Sequence, residues 1–196
     1  MKNITKLKTS LLQVTVVVAT LLGTSSCNNN QKLENSQFLA EKDNEAKFDT
    51  TAKAKDAEFL VQAAEINLEE IQLGQLAQQK SKCACIKELG KMMEVQHSQC
   101  FIDLTALAHK ESITIPTAPN NNVEDAYKML SNKSGTDFDT TYCNMMVKGH
   151  KRAIAMFEKE SINSNNTNIK QWAAETLPNL GIHLDHALAC QKKCKK

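Results

Sequence analysis

The sequence predicts an all-α fold: an up-down-up-down bundle of four long helices, with a short extra helix between the second and the third. Three observations carry that expectation. Only three prolines and six glycines interrupt 196 residues. Alternating β-branched runs of the kind that build strands are few. Four long segments repeat apolar residues at alternating spacings of three and four, the period of a helix face turned toward a core.

The chain opens with Lys2, Lys6 and Lys8, then the apolar run LLQVTVVVATLLG, then TSSC ending at Cys27. A positive start, an apolar stretch too short for an ordinary span and a small-small-Cys close mark a bacterial lipoprotein signal. Residues 1–26 are therefore expected to be removed and Cys27 to carry the lipid. Thr24 stands where such signals prefer Leu; the competing expectation is a conventional cut near Ser26 that frees a soluble periplasmic protein. The expected location is the cell envelope, anchored in the outer membrane and facing the periplasm. Residues 27–50 read as a polar tether, with a short helix between about Ser36 and Lys47.

The helical domain is assigned to 51–196. Its first long helix runs from about Thr51 to Gln79, capped by Asp49 or a threonine, and Ser81 to Ala84 turn the chain. The second spans about Cys85 to Lys110. ITIPTAPNNN then breaks the pattern with two prolines and an asparagine run. VEDAYKMLSNK, opened by Asn122, is the short extra helix, and Ser134-Gly135 end it. The third long helix begins at TDFD and reaches about Ile162. NSNNTN separates it from the fourth, Ile169 to Cys194, in which Pro178 is expected to make a kink.

Charge excludes one class of partner. Removing residues 1–26 takes away three lysines and no acid, so the net charge passes from +2 to −1. A near-neutral chain offers no electrostatic ground for nucleic acid.

The inward seams are unusually polar. The first helix presents Ala63, Asn67, Glu70, Gly74 and Ala77, and the second Met93, His97, Cys100, Leu104 and Leu107. The third presents Cys143, Met146, His150, Ala153 and Phe157. The fourth presents Thr176, Leu180, His183, Ala187 and Cys190, with Cys194 one step on. Counted from the end assumed to carry both short loops, Glu70, His97, His150 and His183 lie roughly 17, 20, 18 and 24 Å down. One carboxylate and three imidazoles at one level suit a single copper, zinc or iron ion. Met93 and Met146, one turn before His97 and His150, are further ligand candidates that tilt the choice toward Cu(I). The competing reading is a buried polar layer, satisfied internally, that only specifies the packing.

Six cysteines follow Cys27, and six thiols allow 15 pairings. By the same depth count Cys100, Cys143 and Cys190 fall at roughly 24, 29 and 35 Å, toward the far end. They are the disulfide candidates, while Cys83 and Cys85 are expected at the short-loop end, out of their reach. Cys190 and Cys194, one turn apart, are better placed as thiolate ligands than as a disulfide.

The runs AKDAEFLVQAAEINLEEIQLGQLA, KELGKMMEVQH, GTDFDTTYCNMMVKGH and LPNLGIHLDHA occur in this order. Together they resemble a family of bacterial predicted outer-membrane proteins with a ferritin-like domain of unknown function, from about Lys55 to Ala189. The resemblance implies a ferritin-like bundle in exported proteins, often lipoproteins, and no settled activity. Its recurring polar positions fall on Glu70, His97, Asp139, Tyr142, His150, Pro178 and His183. Where the family commonly has an aspartate before the second-helix histidine, this chain has Gln96. Cys100, Cys143 and Cys190 are additions of this chain.

A di-iron oxidase would need a Glu on each of two helices and Glu-x-x-His on the other two. Glu94 and His97 supply one such pair, but Leu180 stands three before His183, and half the carboxylates are missing. No G-x-S-x-G elbow, phosphate loop or zinc-finger spacing occurs. The expected function is metal binding through the Glu/His layer. The alternative is a non-enzymatic envelope or stress-related interaction module without metal.

Overall fold

The computed structural model describes residues 29–194; the expected signal segment 1–26 and Cys27 lie outside the described residues. Six helices follow one another: α1 (Asn29–Lys47), α2 (Thr51–Lys80), α3 (Ala84–Lys110), α4 (Asn121–Ser131), α5 (Gly135–Asn163) and α6 (Thr167–Cys194). No strand occurs among the described residues, so the fold is all-α. None of these helices is long and apolar enough to cross a membrane.

Their ends follow local chemistry. Thr50 caps α2, its hydroxyl accepting from the Lys53 amide, and Asn120 caps α4 by accepting from Val123 N at 3.0 Å. Both satisfy donors that the first helical turn leaves without an internal partner. The short helix thus opens on Asn120, two residues before the expected Asn122. α6 runs through Pro178 without a break.

The direction of the helices departs from the expected alternation. The α2–α3 turn lies beside the start of α5, where Ser81 Oγ donates to Asp139 Oδ1 at 2.6 Å. The α5–α6 turn lies at the opposite end. There Ser164 Oγ donates to Asp56 Oδ1 at 2.8 Å, and Asn168 Nδ2 to Glu111 Oε1 at 2.7 Å. The four long helices therefore run up, down, down, up. The cause is residues 111–134, which carry the chain back along α2 to the end it had left. On the way α4 packs on α2, with Gln72 Nε2 donating to Glu124 Oε1 and Lys80 Nζ to the Ser131 carbonyl.

The latter part of the expected tether holds this crossover. Asn44 pairs both ways with Thr114, donating to its carbonyl and accepting from its amide, each at 2.8 Å. Ser36 Oγ accepts from Thr117 N at 2.9 Å, and Gln37 Oε1 from Asn120 Nδ2 at 2.6 Å. Ala40 and Asn44 are buried in that contact.

The core forms in two halves. One gathers Leu60, Ala64, Leu104, Phe157, Ile169 and their neighbours around Phe59 and Trp172, at the α5–α6 turn. The other gathers Leu73, Ile86, Leu89, Met93, Phe138 and Met146 at the α2–α3 turn. Each fully buried aliphatic side chain contributes about 1.5–3 kcal/mol. Between the two halves lies the polar layer.

Two glycines bring α2 and α3 into backbone contact next to that layer. A Cβ on Gly74 would sit 2.6 Å from the Gly90 carbonyl oxygen, and one on Gly90 equally close to that of Gly74. A Cβ on Gly181 of α6 would meet nothing within 4 Å. Opposite signs are therefore expected in denaturant unfolding. Gly74→Ala and Gly90→Ala should each lose about 1–3 kcal/mol through overpacking. Gly181→Ala should gain about 0.5–1 kcal/mol through helix propensity.

Candidate metal centre

Four helices deliver the layer. α2 supplies Asn67 and Glu70, α3 His97, α5 His150 and α6 His183, all buried. The three imidazole rings lie with centroids 5.7 Å (His97–His150), 5.1 Å (His97–His183) and 5.2 Å (His150–His183) apart. One nitrogen from each falls within 4.8 Å of the others.

Hydrogen bonds fix which nitrogen carries the proton on two of the three rings, His97 and His150. Asn67 Nδ2 donates to the Ala63 carbonyl at 2.9 Å, which turns its Oδ1 toward His97 Nδ1, also at 2.9 Å. That oxygen takes the Nδ1 proton, so the lone pair of His97 sits on Nε2. Nε2 is buried with no partner. His150 Nδ1 donates to the Met146 carbonyl at 2.9 Å, which leaves its lone pair on Nε2, 3.2 Å from His183 Nδ1. His183 Nε2 lies 2.7 Å from Gln96 Oε1. With that proton given to Gln96, His183 Nδ1 is a second lone pair facing His150 Nε2. Two lone pairs at that distance repel unless an electrophile lies between them.

A proton is a poor occupant. Burial lowers the pKa of all three imidazoles, with the neighbouring histidines adding to the effect at His97 and His183, and His183 falls to about 3. Neutral imidazoles are the form that binds metal.

Glu70 stands behind His150 and not among the facing nitrogens. Its Oε1 is 3.8 Å from His150 Nδ1, the nitrogen on the far edge of the ring. Burial pushes its pKa well above the carboxylate range, and Oε2 has no partner. Gly149 leaves the space it fills, since a Cβ there would lie 3.2 Å from Oε1. The expected Glu70 ligand is thus placed as an outer partner of His150. Met93 and Met146 pack in the apolar half, and Met146 meets His150 through its carbonyl.

A cleft of about 460 Å³ between α3 and α6 reaches the layer. Gln96, His97, Cys100, Asp103, Glu175 and His183 are among its lining residues. Cys100 therefore faces this cleft, away from Cys143 and Cys190, which it was expected to join. Burial raises its thiol to about 11. Asp103 and Glu175 favour the approach of a cation.

Reasoning from sequence put Asn67 on the seam without a role and gave Gln96 none. By the same count Asn67, three residues from Glu70, lies about 21 Å down, level with His97, and its contact makes it the tautomer-setting partner. Gln96 is exposed and carries no burial pattern; only its position next to His97 could have signalled it.

Helices that bring three neutral imidazoles together behind a polar cleft define a class: all-helical proteins with a buried histidine cluster. Over residues 41–190 the chain matches a domain of unknown function, DUF4142, and belongs to that family. No curated protein and no solved structure matches it.

The titration of the layer has a defined sign. Folded values below the free-imidazole value of about 6.5 mean that histidine protonation costs the folded state as pH falls below that point. Glu65 and Glu160, raised to about 7 chiefly by burial, act oppositely and weaken the fold as pH rises past their unfolded values. Global stability mixes the two, so nitrogen-15 NMR of the imidazoles is the measurement. His97 and His150 should be Nδ1–H tautomers, and His183 should stay neutral to about pH 3.

Proposed function

We propose that the protein is an exported, lipid-anchored bundle of the ferritin-like kind that holds one transition-metal ion between His97, His150 and His183. The observation that carries the metal reading is the buried, partnerless Nε2 of His97 beside the facing nitrogens of His150 and His183. Tetrahedral zinc with bonds of about 2.0–2.1 Å needs nitrogens about 3.3 Å apart. The His150–His183 pair is at 3.2 Å, and a His97 nitrogen within 4.8 Å of both completes the set. Three histidines leave a fourth position for water or a ligand arriving through the cleft. With nitrogen donors only, copper and zinc are favoured over iron.

The ferritin-like assignment draws support from the single long crossover between two helical hairpins, the connectivity of ferritin-like bundles. The envelope location draws support from the signal-like run ending at Cys27. Binding is proposed without an assigned reaction.

A metal-free structural layer is the second reading, and Gln96 favours it. With its amide turned over, Gln96 donates to His183 Nε2, and His183 Nδ1–H then donates to His150 Nε2. Of the imidazole nitrogens, His97 Nε2 then stays without a partner.

Protein purified without a metal-affinity step is expected to retain close to one equivalent of copper or zinc at this site. Cobalt(II) should report nitrogen ligation, without sulfur charge transfer. His150→Ala should abolish that signal, and Asn67→Ala should weaken binding about 10–100-fold, the usual effect of losing a ligand's outer partner. Retention below about a tenth of an equivalent of every transition metal, with melting unmoved by zinc or copper, would leave the structural reading.

A further inference from the structure

A second group of ligand-type side chains lies at the α2–α3 turn. Cys83 and Cys85 come from the start of α3, Cys143 from α5, and Cys190 and Cys194 from the end of α6. Cys83 and Cys85 have their sulfurs 3.3 Å apart, and Cys143 and Cys194 4.0 Å apart. Cys190 donates to the Cys85 carbonyl at 3.2 Å. All are free thiols. Leu76, Ile86, Leu89 and Phe138 wall the group with apolar surface. The carboxylate beside it, Asp139, is engaged by Ser81.

We propose that this end of the bundle binds copper(I), one ion held by Cys83 and Cys85 and another by Cys143 and Cys194.

The donor set selects the ion. Sulfur ligands without imidazole favour soft or borderline ions, copper(I) and zinc first. Zinc demands four ligands in a tetrahedron. The sulfurs do not converge that way: among the described residues only the three histidines form a three-ligand group. Copper(I) is a closed-shell ion that accepts two thiolates, and pairs are what the fold provides. The 4.0 Å between Cys143 and Cys194 is about twice a disulfide bond. It is close to two metal–sulfur bonds of about 2.3 Å set at an open angle.

Binding each ion replaces two S–H protons, which leave to solvent, and forms a dithiolate of charge −1; no electron is transferred. The surroundings suit that charge. Cys83 and Cys85 sit at the positive end of α3, and Lys192 and Lys193 occupy the last turn of α6. Cys83, Cys85 and Cys194 are each partly exposed, which gives the ion a way in.

The test is anaerobic titration of the reduced full chain, its histidine layer first given one equivalent of zinc, with copper(I) in competition with a chromogenic copper(I) chelator. Wild type should hold two equivalents against the chelator. Cys83→Ser with Cys85→Ser should hold one, and so should Cys143→Ser with Cys194→Ser. Cys100→Ser should still hold two. His150→Ala should also hold two, which separates this site from the histidine layer. Circular dichroism checks that each variant is folded, and X-ray absorption of the wild-type complex should show sulfur alone around copper. The proposal is overturned if copper(I) retention survives both serine pairs, or if it disappears with His150→Ala. It also fails if the freshly isolated protein carries a Cys143–Cys194 disulfide that leaves no thiols there to bind.

Discussion

The fold depends on keeping five polar side chains dry at the middle of the bundle. Asn67, Glu70, His97, His150 and His183 are all at most 4 % exposed. Each loses its hydration, and an unpaired buried polar group costs about 1–3 kcal/mol. The two apolar halves above and below must offset that cost, and the Gly74–Gly90 contact lets α2 and α3 close tightly beside the layer. What the layer keeps in return is a buried acceptor without a partner, His97 Nε2. A packing device would be expected to close its own hydrogen bonds. Here Asn67 and Met146 satisfy the outer nitrogens of two rings, which leaves their inner nitrogens free.

That division of labour within each imidazole is why the layer reads as a site. Tautomers are set from outside by a side-chain amide and a backbone carbonyl, both fixed by helical geometry. Glu70 extends the pattern. It lies behind His150 as a neutral acid, and a cation on the inner nitrogen would favour its ionised form. A di-iron centre would need such carboxylates inside the ligand set. The single one in this layer faces the wrong edge of the ring.

The seams were legible in the sequence because spacing of three and four reports burial directly. Nearly all the seam residues are buried; Cys100, Leu107, Thr176 and Cys194 are the half-buried ones. The level of the histidines was legible for a subtler reason. His97, His150 and His183 lie near the middles of helices of 27, 29 and 28 residues. A mid-helix residue meets its neighbours whichever way the helix runs. Residues near helix ends have no such protection. Reversing α5 and α6 relative to the expected alternation carried Cys143, Cys190 and Cys194 to the end that holds Cys83 and Cys85. It left Cys100 alone at the cleft. Direction is set by the crossover, and no local periodicity in residues 111–134 encodes how far it travels. Its contacts with Ser36, Gln37 and Asn44 join segments some 70–80 positions apart, beyond the reach of any local pattern.

Placing imidazoles at mid-height and thiols at one end gives a single bundle two chemically distinct donor sets. The two sets share α3, α5 and α6 but differ in what they reject. The histidine layer is buried, neutral and nitrogen-only and opens on one cleft, a setting of the kind that suits a divalent ion with one position left for a small ligand. The cysteine end is sulfur-only and partly open, and its paired geometry disfavours ions that insist on four ligands. Cys85 and His97 are twelve residues apart on α3, so about 18 Å of helix separates the groups. At that distance neither donor set can complete the other's coordination shell. The two donor sets are therefore independent of one another, with the apolar half-core between them, Leu89, Met93 and Met146 included.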